Sequence, residues 1–195
     1  LMKEMEKQLK KREWGEVIRM DVDDGIDKRL LRVLKKNLKV ADDAVYMING
    51  PLDLTICGKV SGLPGHDDLR EEEFTPQIQP RLIGCTDLFA EIRKKDLFFQ
   101  HPYDSFDTIV DFIKQASEDP QVLAIKQTLY RVSGNSPIIA ALAKAAENGK
   151  QVTVLVELKA RFDEENNIGW AKKLENAGCH VLYGLVGLKT HSKIA

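Results

Sequence analysis

The sequence predicts an α/β protein, with parallel strand-helix-strand units over residues 105 to 195 preceded by a smaller α+β piece. Three observations lead there. Short apolar runs alternate with helical patterns through the second half of the chain. One run, Gln151 to Leu158 (QVTVLVEL), is nearly continuous β-branched apolar sequence, as expected of a strand covered on both faces. Between Val60 and Pro80 periodicity gives way to Gly62, Pro64, Gly65, Pro76 and an acidic Glu71-Glu72-Glu73 run, which places a boundary near residue 78.

In order, residues 2 to 12 have helix-forming composition, and Glu16 to Val22 (EVIRMDV) alternates like a half-buried strand. Ile26, Leu30, Leu31, Val33, Leu34 and Leu38 fall near one helical stripe with Lys and Arg opposite. Asp42 to Ile48 is a second strand, broken by Asn49-Gly50-Pro51. Past the boundary come a helix over Ser105 to Ser117, a buried strand over Val122 to Leu129 and a helix over Ser136 to Asn148. That helix has Pro137 at its first position and Gly149 just past its end. After the strand at 151 to 158 follow a helix from about Glu164 to Ala177, stopped by Gly178, and a strand over His180 to Tyr183. Short connections between these elements favour a parallel sheet.

Composition narrows the function. The 29 Lys and Arg against 30 Asp and Glu leave a net charge of −1, which gives no electrostatic case for nucleic acid, so any anion site must be local. Cys57, Cys85 and Cys179 are odd in number, widely spaced and without a CxxC pair, and read as reduced, partly buried thiols. There is neither an apolar run of membrane-spanning length nor a signal-peptide core in the first residues, so the cytoplasm is the expected location, with membrane association of a full-length complex left open. The chain opens inside a Lys/Glu-rich helical pattern and closes on an unfinished strand at Ser192 to Ala195, and so reads as a piece of a longer protein.

Arg131, Arg161 and His191 carry the chemistry. They are evenly spaced, since 161 − 131 = 30 and 191 − 161 = 30. Arg131 and Arg161 each follow a strand and should emerge at the carboxyl edge of the sheet, where open α/β sheets bind ligands. His191 follows the irregular stretch Gly184 to Thr190. Two guanidiniums aimed at one point suit phosphate oxygens, because each is a planar fork of donors. An uncharged imidazole beside them offers a lone pair to phosphorus. Lys193, two residues on, would share a face with His191 in an extended segment and could neutralise charge on a transferring phosphoryl group. Each feature also has a plainer explanation. An Arg after a strand is commonly an ion-paired surface residue. His66, His101 and His180 are assigned structural places, Asp163-Glu164-Glu165 complements a helix dipole, and Trp170 and Leu174 are core.

The segments HPYDSFDTIVDFIKQAS, AIKQTLYRVSGNSPII, AAENGKQVTVLVELKARFDEENNIGWAKKLE and YGLVGLKTHSKIA resemble polyphosphate kinase of the polyphosphate-synthesising, phospholipase D-like type. The resemblance runs through residues 81 to 195, and the first 80 residues resemble the end of that enzyme's head domain. It implies a head-domain part over 1 to 77 and the first part of a phospholipase D-like catalytic domain over 78 to 195. It also implies reversible transfer of the terminal phosphate of ATP to inorganic polyphosphate through a phosphohistidine. Matching GLKTHSK to the family's motif makes His191 the phosphorylated residue and Lys193 its support. Matching LYR and ARFDEE assigns Arg131 and Arg161 to the phosphate and magnesium site. A guanidinium has no lone pair for a metal, so these two are expected to bind phosphate oxygens that Mg²⁺ would share. The implied partners are ATP or ADP, polyphosphate, the missing domains and, in the full-length enzyme, further copies of itself. A second catalytic domain supplies another histidine in such enzymes, so the isolated chain is expected to be inactive. Two other functions stand beside this one: a phosphodiesterase of the phospholipase D superfamily, and a non-catalytic association module.

Overall fold

A computed structural model of the chain describes residues 2–12, 14–132, 134–185 and 187–195. Val186, within the irregular stretch expected over 184 to 190, lies outside the described residues. The chain divides into two compact units, Leu1–Glu73 and Phe74–Ala195.

The first unit opens with α1 (Met2–Arg12) and continues as β1 (Met20–Asp23), α2 (Lys28–Leu38) and β2 (Val45–Ile48), ending in a short α3 (Ile56–Ser61). β1 and β2 pair in parallel, Met20 opposite Val45 and Asp23 opposite Ile48. The α+β piece is thus itself a strand-helix-strand unit. The strand expected from Glu16 begins only at Met20, because β2 offers just four residues to pair with and an unpartnered strand leaves its backbone groups unmet. Asp42 to Ala44, expected in the second strand, form a 3₁₀ turn instead. Helix α2 starts where Asp27 accepts hydrogen bonds from the N–H groups of Arg29 and Leu30. Its apolar stripe is only partly covered, with Leu30, Val33 and Leu38 near half exposed.

The second unit contains α4 (Leu88–Lys94), α5 (Asp107–Glu118), β3 (Ala124–Leu129), α6 (Pro137–Glu147), β4 (Gln151–Val156), α7 (Glu164–Asn176) and β5 (His180–Leu182). Among the described residues its strands lie in the order β3-β4-β5, all parallel, with Leu129 opposite Val156 and Thr153 opposite His180. Helix α6 packs on β4 and touches both α5 and α7, and α7 packs on β5. Gly149 and Gly178 stop α6 and α7 at φ of 81° and 92°, a backbone conformation that costs a side-chain-bearing residue 1–2 kcal/mol or so.

Ile113, Ile139, Leu142, Val154, Val156 and Leu174 form the centre of the core. Each such side chain contributes roughly 1.5–3 kcal/mol by leaving water. Along β4, Val152, Val154 and Val156 are buried while Thr153 and Leu155 are only half-buried, so one face is sealed and the other partly open. The strand is therefore less enclosed than its composition suggested. The segment at 192 to 194 docks along the outer side of β3. Thr128 of β3 donates its N–H to the Ile194 carbonyl at 2.9 Å and its hydroxyl to the Ser192 carbonyl at 2.7 Å, and it accepts from the Ile194 N–H at 2.9 Å. This docking brings residues 191 to 193 beside the carboxyl end of β3.

Candidate active site

β3 ends at Leu129, so Tyr130 and Arg131 are the first residues to leave the sheet at its carboxyl edge. β4 ends opposite, at Val156, and the chain then turns through Glu157 to Asp163 before α7 begins. The first turn of α7 reaches back into this gap. Asn167, fully buried, donates through Nδ2 to the carbonyl of Tyr130 at 2.6 Å and to that of Glu157 at 2.9 Å. One side-chain amide thereby ties the exits of two neighbouring strands.

Arg131 crosses the same gap above. Its Nη2 donates to the Arg161 carbonyl at 2.9 Å and its Nε pairs with the Asp163 carboxylate at 3.0 Å. The pair is partly exposed, so it fixes direction more than it adds stability. What Arg131 meets is the backbone of Arg161. The Arg161 guanidinium itself lies 5.0 Å from the ring of Phe162, an exposed residue held at φ 73°.

The ring of Tyr130 is shared. His191 stands against it edge-on, with centroids 5.0 Å apart. The Lys193 ammonium lies 4.5 Å from its centroid, the Arg131 guanidinium 5.6 Å and the Lys189 ammonium 5.7 Å. Three cations and an imidazole thus surround one aromatic ring, an arrangement favoured by the negative faces of the ring and attractive to an anion. His191 and Lys193 meet the same ring, as two residues of an extended segment do when they share a face. Lys193 also donates to the carbonyl of His191.

Sequence reasoning singled out Arg131, Arg161, His191 and Lys193; Arg131, His191 and Lys193 share the Tyr130 ring, whereas Arg161 meets Arg131 only through its backbone carbonyl and its guanidinium lies against Phe162 instead of beside that of Arg131. It passed over Tyr130, Glu157 and Asn167, and it gave Asp163 only a dipole role. An Asn in the first turn of a helix and a Glu between the apolar Val156 and Leu158 were the available signals, since neither is at home in a core unless it is bonded. His101 lies in a turn, where its Nδ1 is 2.8 Å from the Asp104 carbonyl and its ring neighbours those of Phe99 and Phe106.

The residues present do not fit a magnesium ion held by protein ligands. Among the described residues there is no group of three His, Cys, Asp or Glu side chains placed to hold a metal. Guanidinium and ammonium groups have no lone pair to offer one. Among the described residues no helix is long and apolar enough to cross a membrane.

Comparison with known proteins gives a consistent result. The family described as polyphosphate kinase C-terminal domain 1 matches residues 87–195, and polyphosphate kinase middle domain matches residues 1–60. The chain is 58% identical over its whole length to polyphosphate kinase of Halalkalibacterium halodurans, 54% to that of Lactiplantibacillus plantarum and 49% to that of Streptomyces coelicolor. It spans 28%, 27% and 27% of those relatives. A crystal structure of polyphosphate kinase from Porphyromonas gingivalis superposes with a TM-score of 0.69 at 32% identity, over 90% of this chain and 26% of that one. The α/β fold with its parallel strands is the phospholipase D-like fold expected from the sequence, and the chain belongs to the polyphosphate kinase family.

Proposed function

We propose that this chain is the part of a polyphosphate kinase in which His191 takes the terminal phosphoryl group of ATP and passes it to inorganic polyphosphate. The observation that carries the proposal is the gathering of His191, Lys193 and Arg131 on the ring of Tyr130. A ring nitrogen of His191 forms a bond to the γ-phosphorus as the bond from that phosphorus to the bridging oxygen breaks, and ADP leaves. A terminal oxygen of polyphosphate then attacks the same phosphorus, and the nitrogen-phosphorus bond breaks. Lys193 and Arg131 lower the energy of the transition state by facing the charge on the equatorial oxygens. Asp163 and the Arg161 carbonyl hold Nε and Nη2 of Arg131, which leaves the Nη1 end of the fork to meet phosphate. The Arg161 guanidinium would supply a second fork to the same phosphate chain. Magnesium enters with ATP as part of the substrate, bound by phosphate oxygens.

Residues 1 to 77 form the end of the head domain in this proposal, and residues 78 to 195 the first part of the first catalytic domain. The protein works in the cytoplasm as a homo-oligomer, on ATP or ADP and polyphosphate, without nucleic acid. Incubating the full-length enzyme that carries this segment with γ-labelled ATP tests the proposal. Acid-labile, base-stable label should appear and should vanish in His191→Ala, whereas label retained equally by enzyme with and without His191 refutes it. A phosphodiesterase would retain no γ-phosphate. The isolated chain should show no turnover with ATP and polyphosphate, because the second domain and its histidine are needed.

A further inference from the structure

We infer that Glu157 is a positioning residue for phosphoryl transfer, its carboxylate holding the turn that presents His191 at the carboxyl end of the sheet. The inference rests on the proposal that His191 receives the phosphoryl group. It starts from a misfit. Glu157 is 5% exposed and sits between Val156 and Leu158, themselves 1% and 5% exposed. An apolar residue there would cost less, because a buried carboxylate must be desolvated and then given hydrogen bonds to compensate.

The bonds it receives show what the charge is used for. Oε1 accepts the N–H of Lys159 at 2.9 Å and so shapes the turn after β4. Oε2 accepts the N–H of Thr190 at 2.7 Å, reaching a segment 33 residues away and the residue next to His191. Hydrogen bonds to an ionised acceptor are about twice as strong as neutral ones. The approach to His191 needs such a hold. Its described residues belong to neither helix nor strand, and Gly184 and Gly187 lie among them at φ of 66° and 80°.

The backbone that carries this carboxylate is itself anchored. Asn167 Nδ2 bonds the carbonyl of Glu157 and that of Tyr130, the residue whose ring His191 meets. His191 is thus located twice, through the Thr190 amide and through the Tyr130 ring, and both supports lead back to Asn167. A group that must approach phosphorus in line gains from being held on two sides, since a shift of about 1 Å can cost about 100-fold in rate.

The test uses the full-length enzyme carrying this segment. Glu157→Gln keeps the shape and one acceptor but turns an NH₂ group toward one of the two N–H donors. It should slow phosphohistidine formation about 10- to 100-fold with KM for ATP unchanged. Amide exchange should rise in residues 187 to 195 and stay at the wild-type level in β3 and β4. Labelling at the wild-type rate, or exchange rising equally through the sheet, overturns the inference. One measurement needs no variant: in the wild type the Thr190 amide should exchange slowly, and rapid exchange there also overturns it. A wild type that never becomes labelled refutes the phosphotransfer proposal, while the Thr190 amide still decides whether Glu157 holds the turn.

Discussion

The imidazole of His191 meets the ring of Tyr130 edge-on, with centroids 5.0 Å apart and planes at 76°. The geometry is one that aromatic pairs favour, the positive edge of one ring against the negative face of the other. Lys193, on the same ring, adds an attraction of about 0.5–1 kcal/mol at an exposed site. These contacts are made by the ring of Tyr130, so Tyr130→Phe should keep the rate of His191 labelling within about twofold, whereas Tyr130→Leu should lower it about tenfold. Rapid-quench measurement of phosphohistidine in the full-length enzyme separates the two variants.

Arg131 spends Nη2 on the Arg161 carbonyl and Nε on Asp163. Lysine reproduces the charge and not the fork. Arg131→Lys should therefore raise KM for ATP about tenfold, the loss of one hydrogen bond to a charged group. Because the ion pair is partly exposed, the same change should move the melting temperature by no more than about 3 °C. Steady-state kinetics and a thermal melt on the same preparation check both halves.

Asn167 is fully buried and serves two carbonyls. Asn167→Ala should destabilise the second unit by about 1–3 kcal/mol, the usual result of leaving buried polar groups unmet. Asn167→Asp, the same in shape, should be worse than Ala because it turns an oxygen toward two oxygens. Urea unfolding followed by Trp170 fluorescence, with Trp14 replaced by Phe, gives the order of the two variants.

Cys57 is exposed, contrary to its expected partial burial, while Cys179 is buried and its Sγ lies 3.7 Å from the Leu142 carbonyl. Burial pushes the Cys179 thiol above its ordinary value of 9.0. The unfolded chain then gives up this proton first as pH rises. The contribution of the buried thiol to stability is therefore complete below about pH 9 and declines as pH climbs toward the raised value. Iodoacetamide at pH 8 should label Cys57 within the native chain and Cys179 only once it unfolds, as peptide mass mapping would report.

Much of the fold was legible because it depends on neighbours in sequence. Pro137 and Gly149 mark the ends of α6, Gly178 ends α7, and the β-branched run from Gln151 is β4, all consequences of backbone preferences each residue carries with it. The misses have the opposite character. Glu16 to Arg19 alternate like a strand yet stay outside β1, because strand length is settled by the partner. Helix α4, short and weakly periodic, left no pattern to find.

The candidate site divides in the same way. Residue type and motif resemblance were enough to single out His191, Lys193, Arg131 and Arg161, since attack on phosphorus and the binding of its oxygens call for those side chains. Which of them meet was decided by the parallel register of β3 and β4 and by the docking of 192 to 194 on Thr128. The supports were decided there too: Tyr130 under His191, Glu157 under Thr190 and Asn167 beneath both belong to segments up to 61 residues apart, from 130 to 191. Chemical capacity belongs to single residues and can be read along a chain, whereas a hydrogen bond between distant segments exists only after packing has paid the entropy of bringing them together.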